Sequence, residues 1–542
     1  MRKFSSYGPI DTDLHYYAPR KALLAHAYTQ LMGDDPEKGG HYITVWAPRQ
    51  VGKSWTMQQI LFQLHRDDRF DAVKINLETV KMEPDLGMVL AYISGHLAGR
   101  LGRKRSEVST LKAFERIFAH NSLEKPLILI LDEFDALHED VISSLVGIFR
   151  NVYTSRRDDA RPSAEKEFLL HGVALIGVRS VLGIENATGS PFNVQRSLHI
   201  PNLTYDEVEG MFRWYERESG RQVDTPVIEQ VYYETNGQPG LTCWLGELLT
   251  EGFEDYRPSP EQPLTMEDFR YVYMWATQGL PNNTILNIIS KAKQIPYKDV
   301  VLELFKTEEK MIFAYHKPRL NFLYMNGVLT VDRTPQELYV KFANPFVQKA
   351  LFQYFSDELF HYTGKLHEPF ENLTDVFTDD GGLHIRNLMK RFEKYLQKNR
   401  HWLLEDAPRR KDLRLYEAVY HFCLYRFLCD FLGIRHAAVH PEFPTGNGQI
   451  DLLIRYQDTS YGLELKSFTN DYEYREALKQ AARYGKQLQL PEISLISFVE
   501  YIDEKARQTY EAEYVDADSG VKVMPVFVVI GSSEEKDRLP SI

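Results

Sequence analysis

The feature that most constrains the fold is a short stretch near the N-terminus, HYITVWAPRQVGKS, at residues 41–54. It runs from an apolar, β-rich segment into Gly52, Lys53 and Ser54, and a helical pattern follows. A strand that leads through such a loop into a helix is the setting of a phosphate-binding loop. Ala47 stands where the first glycine of the pattern G-x-x-x-x-G-K-S/T is expected. Because this position only has to turn the chain out of the strand, we expect the alanine to be tolerated.

The whole loop is a candidate nucleotide-binding segment. In such loops, backbone N–H groups face the phosphates, the lysine meets the β- and γ-phosphate oxygens, and the hydroxyl binds Mg²⁺. We therefore predict an ATP site with contacts from Ala47, Pro48, Arg49, Gln50, Val51, Gly52, Lys53, Ser54 and Trp55.

A second motif follows about eighty residues later, where five apolar residues of LILILDEFD (127–135) run into two acids. The pattern predicts a buried strand whose end emerges beside the phosphates. Asp132 is then predicted to hold Mg²⁺ together with Ser54, and Glu133 to polarise the attacking water. The alternative is a strand that merely ends in solvated acids. The two motifs in this order favour a site that binds and hydrolyses ATP.

Two further positions extend this hypothesis. Arg179 and Ser180 follow a fourth apolar run and are candidates for sensing the γ-phosphate. Arg196 is a candidate finger towards the nucleotide of a neighbouring subunit. An arginine at the end of a strand is more often part of a surface salt bridge, and that alternative stays open for both arginines.

Apolar runs alternate with helical stretches between about residues 41 and 200. This alternation predicts an α/β fold with a parallel sheet covered by helices on both faces. The predicted strands are 42–46, 72–77, 127–131 and 169–176.

The rest of the chain is predicted to form further domains, because 542 residues exceed the size of one ordinary core. Amphipathic helices lead to two short strands joined around residues 333–335, which suggests a winged helix. A second α/β unit follows. The predicted domains are 1–200 (P-loop ATPase core), 201–262 (helical lid), 263–350 (winged helix), 351–405 (linker or helical insertion) and 406–542 (restriction-endonuclease-like α/β domain).

Four motifs together resemble the AAA-like ATPases near the STAND and archaeal mobile-element groups. They are Tyr16-Tyr-Ala-Pro-Arg20, the loop APRQVGKS, Ser190-Pro-Phe-Asn-Val194 and Thr235-Asn-Gly-Gln-Pro-Gly240, and they span roughly residues 12–350. The resemblance implies a P-loop, AAA+-like sheet with a helical lid, in which Pro239 contacts the nucleotide phosphates. It also implies a nucleotide-dependent switch that forms a homo-oligomer.

Near the C-terminus, two segments predict a β-hairpin with strands at 449–455 and 461–467. Side chains alternate across a strand, so Glu464 and Lys466 share a face, and the neighbouring strand can bring Asp451 to that face. Two carboxylates there suit Mg²⁺ or Mn²⁺, and a lysine beside the metal can orient water and stabilise charge on a phosphate. Because Leu463 and Leu465 form the apolar face, the charged face is expected to be functional or solvated.

Three more residues extend this candidate site. Glu417, on an upstream amphipathic helix, is a candidate third carboxylate and metal ligand, and Gln480 and Tyr484 lie one turn apart on a downstream helix. The order of these motifs resembles the PD-(D/E)xK nuclease superfamily, particularly its RecB-like branch, over roughly residues 410–500. No proline precedes Asp451, which departs from the pattern. The E-x-K triplet also occurs by chance on exposed hairpins, where charged cross-strand pairs stabilise the structure.

Composition limits the cell compartment. No run of about 18 apolar residues could span a membrane, and the first residues lack the apolar stretch of a secretory signal. The three cysteines have no C-x-x-C spacing, which is typical of a protein of the reducing cytoplasm. We expect a cytoplasmic protein without a membrane anchor.

The net charge of −12 argues against a protein coated in nucleic acid but leaves room for a local basic channel. A basic stretch between residues 386 and 414 is such a candidate, although a solvated helix face is an equal alternative. We interpret the chain as an ATP-regulated, metal-dependent nuclease acting on DNA rather than RNA, in a defence or mobile-element setting. One alternative is an ATP-dependent switch or loader whose nuclease fold only binds nucleic acid or a partner. Another is a sequence-specific regulator that binds DNA through a winged helix. Its candidate recognition helix, at residues 283–293, is only mildly basic.

Overall fold

The structure, a computed structural model, describes most of the chain. It covers residues 1–8, 10–103, 108–177, 195–253, 256, 259, 261–305, 311–367, 371–408, 417–433, 435–442, 451–457, 459–468 and 470–531, without the side chains of Gln195, Glu417, Glu442 and Asp451. The chain divides into two compact units, Met1–Thr284 and Ile285–Ile542. The five domains predicted from the sequence stay a prediction.

The first unit combines a sheet with helices. Its strands are β1 (Tyr42–Trp46), β2 (Asp71–Asn76), β3 (Leu127–Asp132), β4 (Leu170–Gly177) and β5 (Gln195–His199). Its helices are α1 (Lys21–Met32), α2 (Lys53–Leu64), α3 (Leu86–Arg100), α4 (Leu111–Arg116), α5 (Glu139–Asp158), α6 (Tyr205–Ser219), α7 (Thr225–Thr235), α8 (Pro239–Glu251) and α9 (Met266–Gln278), followed by the start of α10 (Asn283–Ala292).

The five strands form one parallel sheet in the order β2-β3-β4-β1-β5. Strands β3 and β4 are buried along their whole length, which explains why their sequences are continuous apolar runs rather than alternating ones. Apolar helix side chains pack against both faces. The parallel α/β sheet predicted from the alternation of strands and helices is therefore confirmed.

The register of this sheet brings three strand ends together. Asn76 pairs with Asp132 across β2 and β3, and Trp46 pairs with Gly177 across β1 and β4. The loops that follow β1, β3 and β4 therefore leave the sheet at the same edge. This is the edge at which α/β sheets generally bind ligands.

Helices α6 to α9 follow the sheet. Thr204 and Glu207 form a capping box that starts α6, and Gly220, with φ of 75°, ends it in the left-handed conformation. Helix α8 begins at Pro239, whose fixed φ suits the first helical position. Helices α6, α7 and α8 lie within residues 201–262, where the sequence predicts a helical lid, and the lid stays a prediction.

The second unit is also mixed. Its strands are β6 (Leu329–Arg333), β7 (Leu338–Phe342), β8 (Ala438–Glu442), β9 (Asp451–Tyr456), β10 (Thr459–Ser467), β11 (Glu492–Val499), β12 (Tyr514–Val515) and β13 (Lys522–Val529). Its helices after α10 are α11 (Tyr297–Leu304), α12 (Pro318–Met325), α13 (Pro345–Leu359), α14 (Ile385–Leu403), α15 (Glu417–Gly433), α16 (Asp471–Gln487) and α17 (Glu504–Tyr510).

Strands β6 and β7 form an antiparallel hairpin, as the sequence predicts. We expected the helix before this hairpin at residues 283–293, but α11 and α12 follow α10 and α12 directly precedes β6. Helices followed by a hairpin are compatible with a winged helix but do not establish one, so the winged helix stays a prediction.

The other strands form a six-stranded sheet in the order β12-β13-β11-β10-β9-β8. Strands β8, β9 and β10 pair antiparallel, whereas β10, β11 and β13 are parallel. The predicted hairpin at the end of the chain is β9–β10, and Gln457, with φ of 52°, lies in its tight turn. Within the described ranges, no helix is both long and apolar enough to cross a lipid bilayer.

Candidate functional site

The phosphate loop connects β1 to α2. Gly52 has φ of 88°, and an added Cβ there would meet no atom within 4 Å, so the left-handed backbone rather than crowding requires glycine. Ala47 is fully buried among apolar residues that include Ile43 and Met57. Its methyl group therefore fits the core at the end of β1, which supports the expectation that an alanine is tolerated there.

Lys53 is folded back onto its own loop. Its Nζ donates to the carbonyl oxygens of Ala47 and Pro48, both at 2.9 Å. Burial lowers the pKa of Lys53 to about 8, although the nearby carboxylates, Glu133 foremost, act in the opposite direction. Phosphate oxygens would offer this ammonium stronger, charged acceptors than the two carbonyls.

Asp132 and Ser54 meet at the predicted metal position. Asp132 is only 2% exposed, and its Oδ1 accepts hydrogen bonds from the Ser54 hydroxyl (3.2 Å) and from the backbone N–H of Glu133 (3.1 Å). Its Oδ2 lies 2.8 Å from Nζ of Lys74. A hydroxyl beside a carboxylate supplies the hard oxygen ligands that Mg²⁺ prefers, so these residues fit the predicted ion.

Glu133 follows Asp132 in the left-handed conformation, with φ of 57°. Burial, followed by the charges of Asp135 and Asp132, raises the pKa of its carboxyl. A carboxyl with a raised pKa beside a phosphate site is suited to general-base chemistry. The role of Glu133 as the group that polarises water stays a prediction.

The lid contacts the phosphate loop through Gln50. The Nε2 amide of Gln238 donates to the carbonyl oxygens of Arg49 (3.2 Å) and Gln50 (3.4 Å), and the N–H of Gly240 donates to that of Gln50 (3.1 Å). A Cβ on Gly240 would lie 2.4 Å from Oε1 of Gln50, so only glycine allows this approach. Pro239 lies between Gln238 and Gly240 in the chain and is therefore close to the phosphate loop. The family resemblance implies a phosphate contact for this proline.

A third group holds the same glutamine. The hydroxyl of Thr284 donates to Oε1 of Gln50. Asn282 in turn accepts the N–H of Thr284 at the start of α10 (3.0 Å). Sequence reasoning missed Lys74, Gln238 and Thr284; the only available signal was a lysine within the otherwise apolar strand β2.

Two predicted nucleotide sensors, Arg179 and Ser180, lie outside the described residues. Arg196 pairs with Ile43 near the amino end of β1, away from the phosphate loop. Its guanidinium donates to Gln30 (3.1 Å) and lies 3.6 Å from Asp34. Within one subunit it thus forms the surface salt bridge that the sequence left open as an alternative.

The second candidate site lies on β10. Glu464 is 1% exposed, and Lys466 lies beside it with Nζ 3.3 Å from Oε1 of Glu464. Neither carboxylate oxygen of Glu464 has a hydrogen-bond partner among the described residues. The register of β9 and β10 places Asp451 directly opposite Glu464.

Helix α16 covers the charged face of this hairpin. Glu464 pairs with Leu495 of β11, and Leu495 belongs to the same core cluster as Tyr484 and Ala481 of α16. We expected the face of Glu464 and Lys466 to be functional or solvated; burial excludes solvation. Gln480 lies on the same helix, one turn before the buried Tyr484.

His421 is a further candidate that sequence reasoning missed. It is fully buried, and neither ring nitrogen has a hydrogen-bond partner in the described part of the chain. Burial lowers its pKa to about 3, and the charge of Lys466 adds to this effect. A neutral imidazole has one nitrogen lone pair, which can bind a metal. The available signal was its position one turn after Glu417 in α15.

The described side chains contain no cluster of three or more His, Cys, Asp or Glu groups arranged to hold a metal ion. Two members of the predicted set, Asp451 and Glu417, have side chains outside that description. Their roles as metal ligands therefore stay predictions, and the buried oxygens of Glu464 are the described atoms that fit a cation.

Two arginines of the basic stretch form contacts inside the second unit. Arg386 donates to the backbone carbonyl of Glu511 (2.9 Å), and Arg391 forms ion pairs with Glu371 (2.7 Å) and Asp375. These arginines hold α14 in place, so a count of basic residues overstates the charge available to a nucleic acid.

One family model matches part of the chain. Residues 5–246 match the family model of an AAA-like domain. No curated protein matches this sequence.

Solved structures that resemble the chain include a Walker-type ATPase of Pyrococcus abyssi, with TM-score 0.40 and 13% identity over 64% of this chain and 99% of that one. A second is the Cdc6p protein of Pyrobaculum aerophilum, with TM-score 0.34 and 16% identity over 66% of this chain and 97% of that one. A third is the Aeropyrum pernix ORC1 protein in complex with DNA, with TM-score 0.33 and 13% identity over 62% of this chain and 92% of that one. Residues 5–246, which contain the phosphate loop and the five-stranded parallel sheet, are thus similar to an AAA-like domain.

Proposed function

We propose that the protein is an ATP-regulated, divalent-metal-dependent nuclease, in which ATP hydrolysis at the phosphate loop controls phosphodiester cleavage at Glu464 and Lys466. The observation that carries this proposal is the Glu464 carboxylate, which is buried and whose two oxygens have no hydrogen-bond partner within the part of the chain that the structure describes. A buried carboxylate with one ion-pair contact at 3.3 Å is poorly compensated. A divalent cation supplies the missing ligation.

The neighbouring residues suit this chemistry. Asp451, opposite Glu464 in register, would add a second hard ligand, and Glu417 and the neutral His421 are candidates for a third. The bound metal would activate water and neutralise charge on the phosphate. Lys466 would hold the phosphate oxygen or the attacking water, and Gln480 and Tyr484 would line the approach from α16.

In the first unit, the loop from Ala47 to Trp55 would bind the phosphates of ATP. Lys53 would leave its two carbonyl partners for the β- and γ-phosphate oxygens, while Ser54 and Asp132 would bind Mg²⁺. Glu133 would accept a proton from the attacking water. Pro239 and Gln238 would carry the nucleotide state to the lid.

We further propose DNA as the substrate, rather than RNA, and a homo-oligomer as the active form. Both follow from the family resemblances. An ATP-gated nuclease suits a role in defence or in a mobile element, because an ungated one would damage its host.

The test is a cleavage assay on plasmid, single-stranded DNA and RNA with Mg²⁺ or Mn²⁺, with and without ATP. Lys466→Ala should abolish cleavage, and Lys53→Ala should remove its dependence on ATP. The matched control is Lys479→Ala, since Lys479 is an exposed partner of Glu476 on α16. Identical cleavage by the wild type and Lys466→Ala would refute the nuclease. If the wild type binds nucleic acid but does not cleave it, the alternative is favoured, in which the protein is an ATP-dependent switch or loader without nuclease activity.

A further inference from the structure

The first unit contains a lysine whose position the ATP site does not explain. Lys74 lies on the edge strand β2, two residues before its end, and its side chain shares the face of Ala72 that packs against α2. Its ammonium lies 2.8 Å from Oδ2 of Asp132 and donates to the carbonyl oxygen of Ser54 (3.3 Å). Lys74 therefore contacts both residues predicted to bind Mg²⁺.

The other lysine of the site does not share this role. The ammonium of Lys53 donates hydrogen bonds to the carbonyl oxygens of Ala47 and Pro48. Lys74 thus forms the salt bridge of Asp132, which is only 2% exposed. A carboxylate so buried requires a counter-charge, and without a metal Lys74 supplies it.

Lys74 also determines how this carboxylate is oriented. It binds Oδ2, whereas Oδ1 accepts from the Ser54 hydroxyl and from the N–H of Glu133. With one oxygen held by the lysine, the other faces the hydroxyl. The metal ligands are therefore assembled before any metal arrives, and the ammonium that assembles them also repels an incoming cation.

We propose that Lys74 is a positioning residue that acts as the internal counter-ion of Asp132 and lowers the affinity of the empty site for Mg²⁺. The site then takes up the metal together with ATP rather than alone. This inference rests on the proposed ATP site. It concerns how Asp132 is neutralised, not whether ATP binds.

The experiment measures the affinity of the full-length protein for a fluorescent ATP analogue, once with excess EDTA and once with saturating Mg²⁺. In the wild type, Lys74 partly offsets the repulsion between Asp132 and metal-free phosphates. In Lys74→Met that repulsion is unopposed, so binding in EDTA should weaken while binding with Mg²⁺ changes little. The ratio of the two dissociation constants should rise about tenfold, as expected for loss of one nearby charge.

Three variants make the result decisive. Lys74→Arg keeps the positive charge and should keep the wild-type ratio. Lys74→Gln removes the charge but stays polar, so it replaces Lys74→Met if the methionine variant folds poorly and should show the same effect. Lys81→Met is the matched control, because Lys81 forms an exposed pair with Glu78. An unchanged ratio in folded Lys74→Met and Lys74→Gln overturns the inference. If Lys53→Ala binds the analogue as well as the wild type does, the proposed ATP site itself fails.

Discussion

The two units each contain a buried carboxylate at a candidate metal position, and the two carboxylates are compensated differently. Asp132 in the first unit receives two hydrogen bonds at one oxygen and a lysine at 2.8 Å from the other. Glu464 in the second unit has a lysine at 3.3 Å and, among the side chains that the structure describes, no hydrogen-bond partner. Among the described residues, the first carboxylate is therefore the better compensated of the two. This difference predicts which site is more sensitive to loss of its partner lysine and to metal.

The largest effect is expected from Lys466→Met measured in EDTA. It leaves Glu464 buried without a counter-charge, which should lower the free energy of unfolding of the second unit by about 3 kcal/mol. Denaturant titration measures the loss. The double variant Lys466→Met with Glu464→Gln should recover most of it, because no buried charge remains. A single variant as stable as the wild type would mean that Glu464 has another partner.

Metal should then stabilise the second unit. Mn²⁺ at about 100 times its dissociation constant should add about 2.7 kcal/mol, and hydrogen exchange in β10 and α16 should slow accordingly. Glu464→Gln should remove this protection, whereas Glu476→Gln, an exposed change on α16, should keep it. Equal protection in both variants would place the metal elsewhere. Without nucleotide, the strands around Asp132 should gain less, because Lys74 already compensates that carboxylate.

A third prediction tests how tightly the first site is closed by the lid. Gly240→Ala places a methyl group 2.4 Å from Oε1 of Gln50, and such overpacking typically costs about 1–3 kcal/mol. Denaturation should show this loss in the first unit. Adding Gln50→Gly should relieve it, because the new methyl group would also lie 2.8 Å from Cβ of Gln50, which alanine would keep. The control is Gly210→Ala in α6, where an added Cβ meets no atom within 4 Å. That change should be neutral or slightly stabilising, and similar losses in both variants would contradict the lid contact.

The smallest expected effect is the pH dependence of nucleotide binding. The free protein has a Lys53 pKa of about 8, and bound phosphates would raise it. Above pH 8 the nucleotide complex therefore holds more protons than the free protein. The affinity for the nucleotide should fall as the pH rises through this range, by at most about tenfold per pH unit. Titrating a fluorescent ATP analogue between pH 7 and 9.5 measures the slope. Lys53→Arg stays protonated and should flatten it, whereas an unchanged slope would assign the proton to another group.

The sequence predicts those parts of the molecule that depend on local pattern. Continuous apolar runs such as 127–131 indicate strands buried on both faces, and β3 occupies that place. The alternation around Glu464 predicts the β9–β10 hairpin and a shared face with Asp451, and the pairing of these two residues comes from the structure. Both features follow from periodicity and need no knowledge of distant partners.

Contacts between distant residues were not predictable in this way. Lys74 is 58 residues before Asp132 in the chain, and nothing in either segment signals that they form an ion pair. His421 resembles any core histidine until the fold shows it buried without hydrogen bonds. The basic residues of α14 could not be assigned to a ligand or to the protein itself before the partners of Arg391 were known.

The boundary between the two units has a practical consequence. It falls between Thr284 and Ile285, inside α10, just after the turn that Asn282 caps and next to the hydroxyl that reaches Gln50. A protein cut at that point would lose both the cap and the phosphate-loop contact from whichever fragment lacks residues 282–284. Separate expression of either half should therefore keep this helix whole.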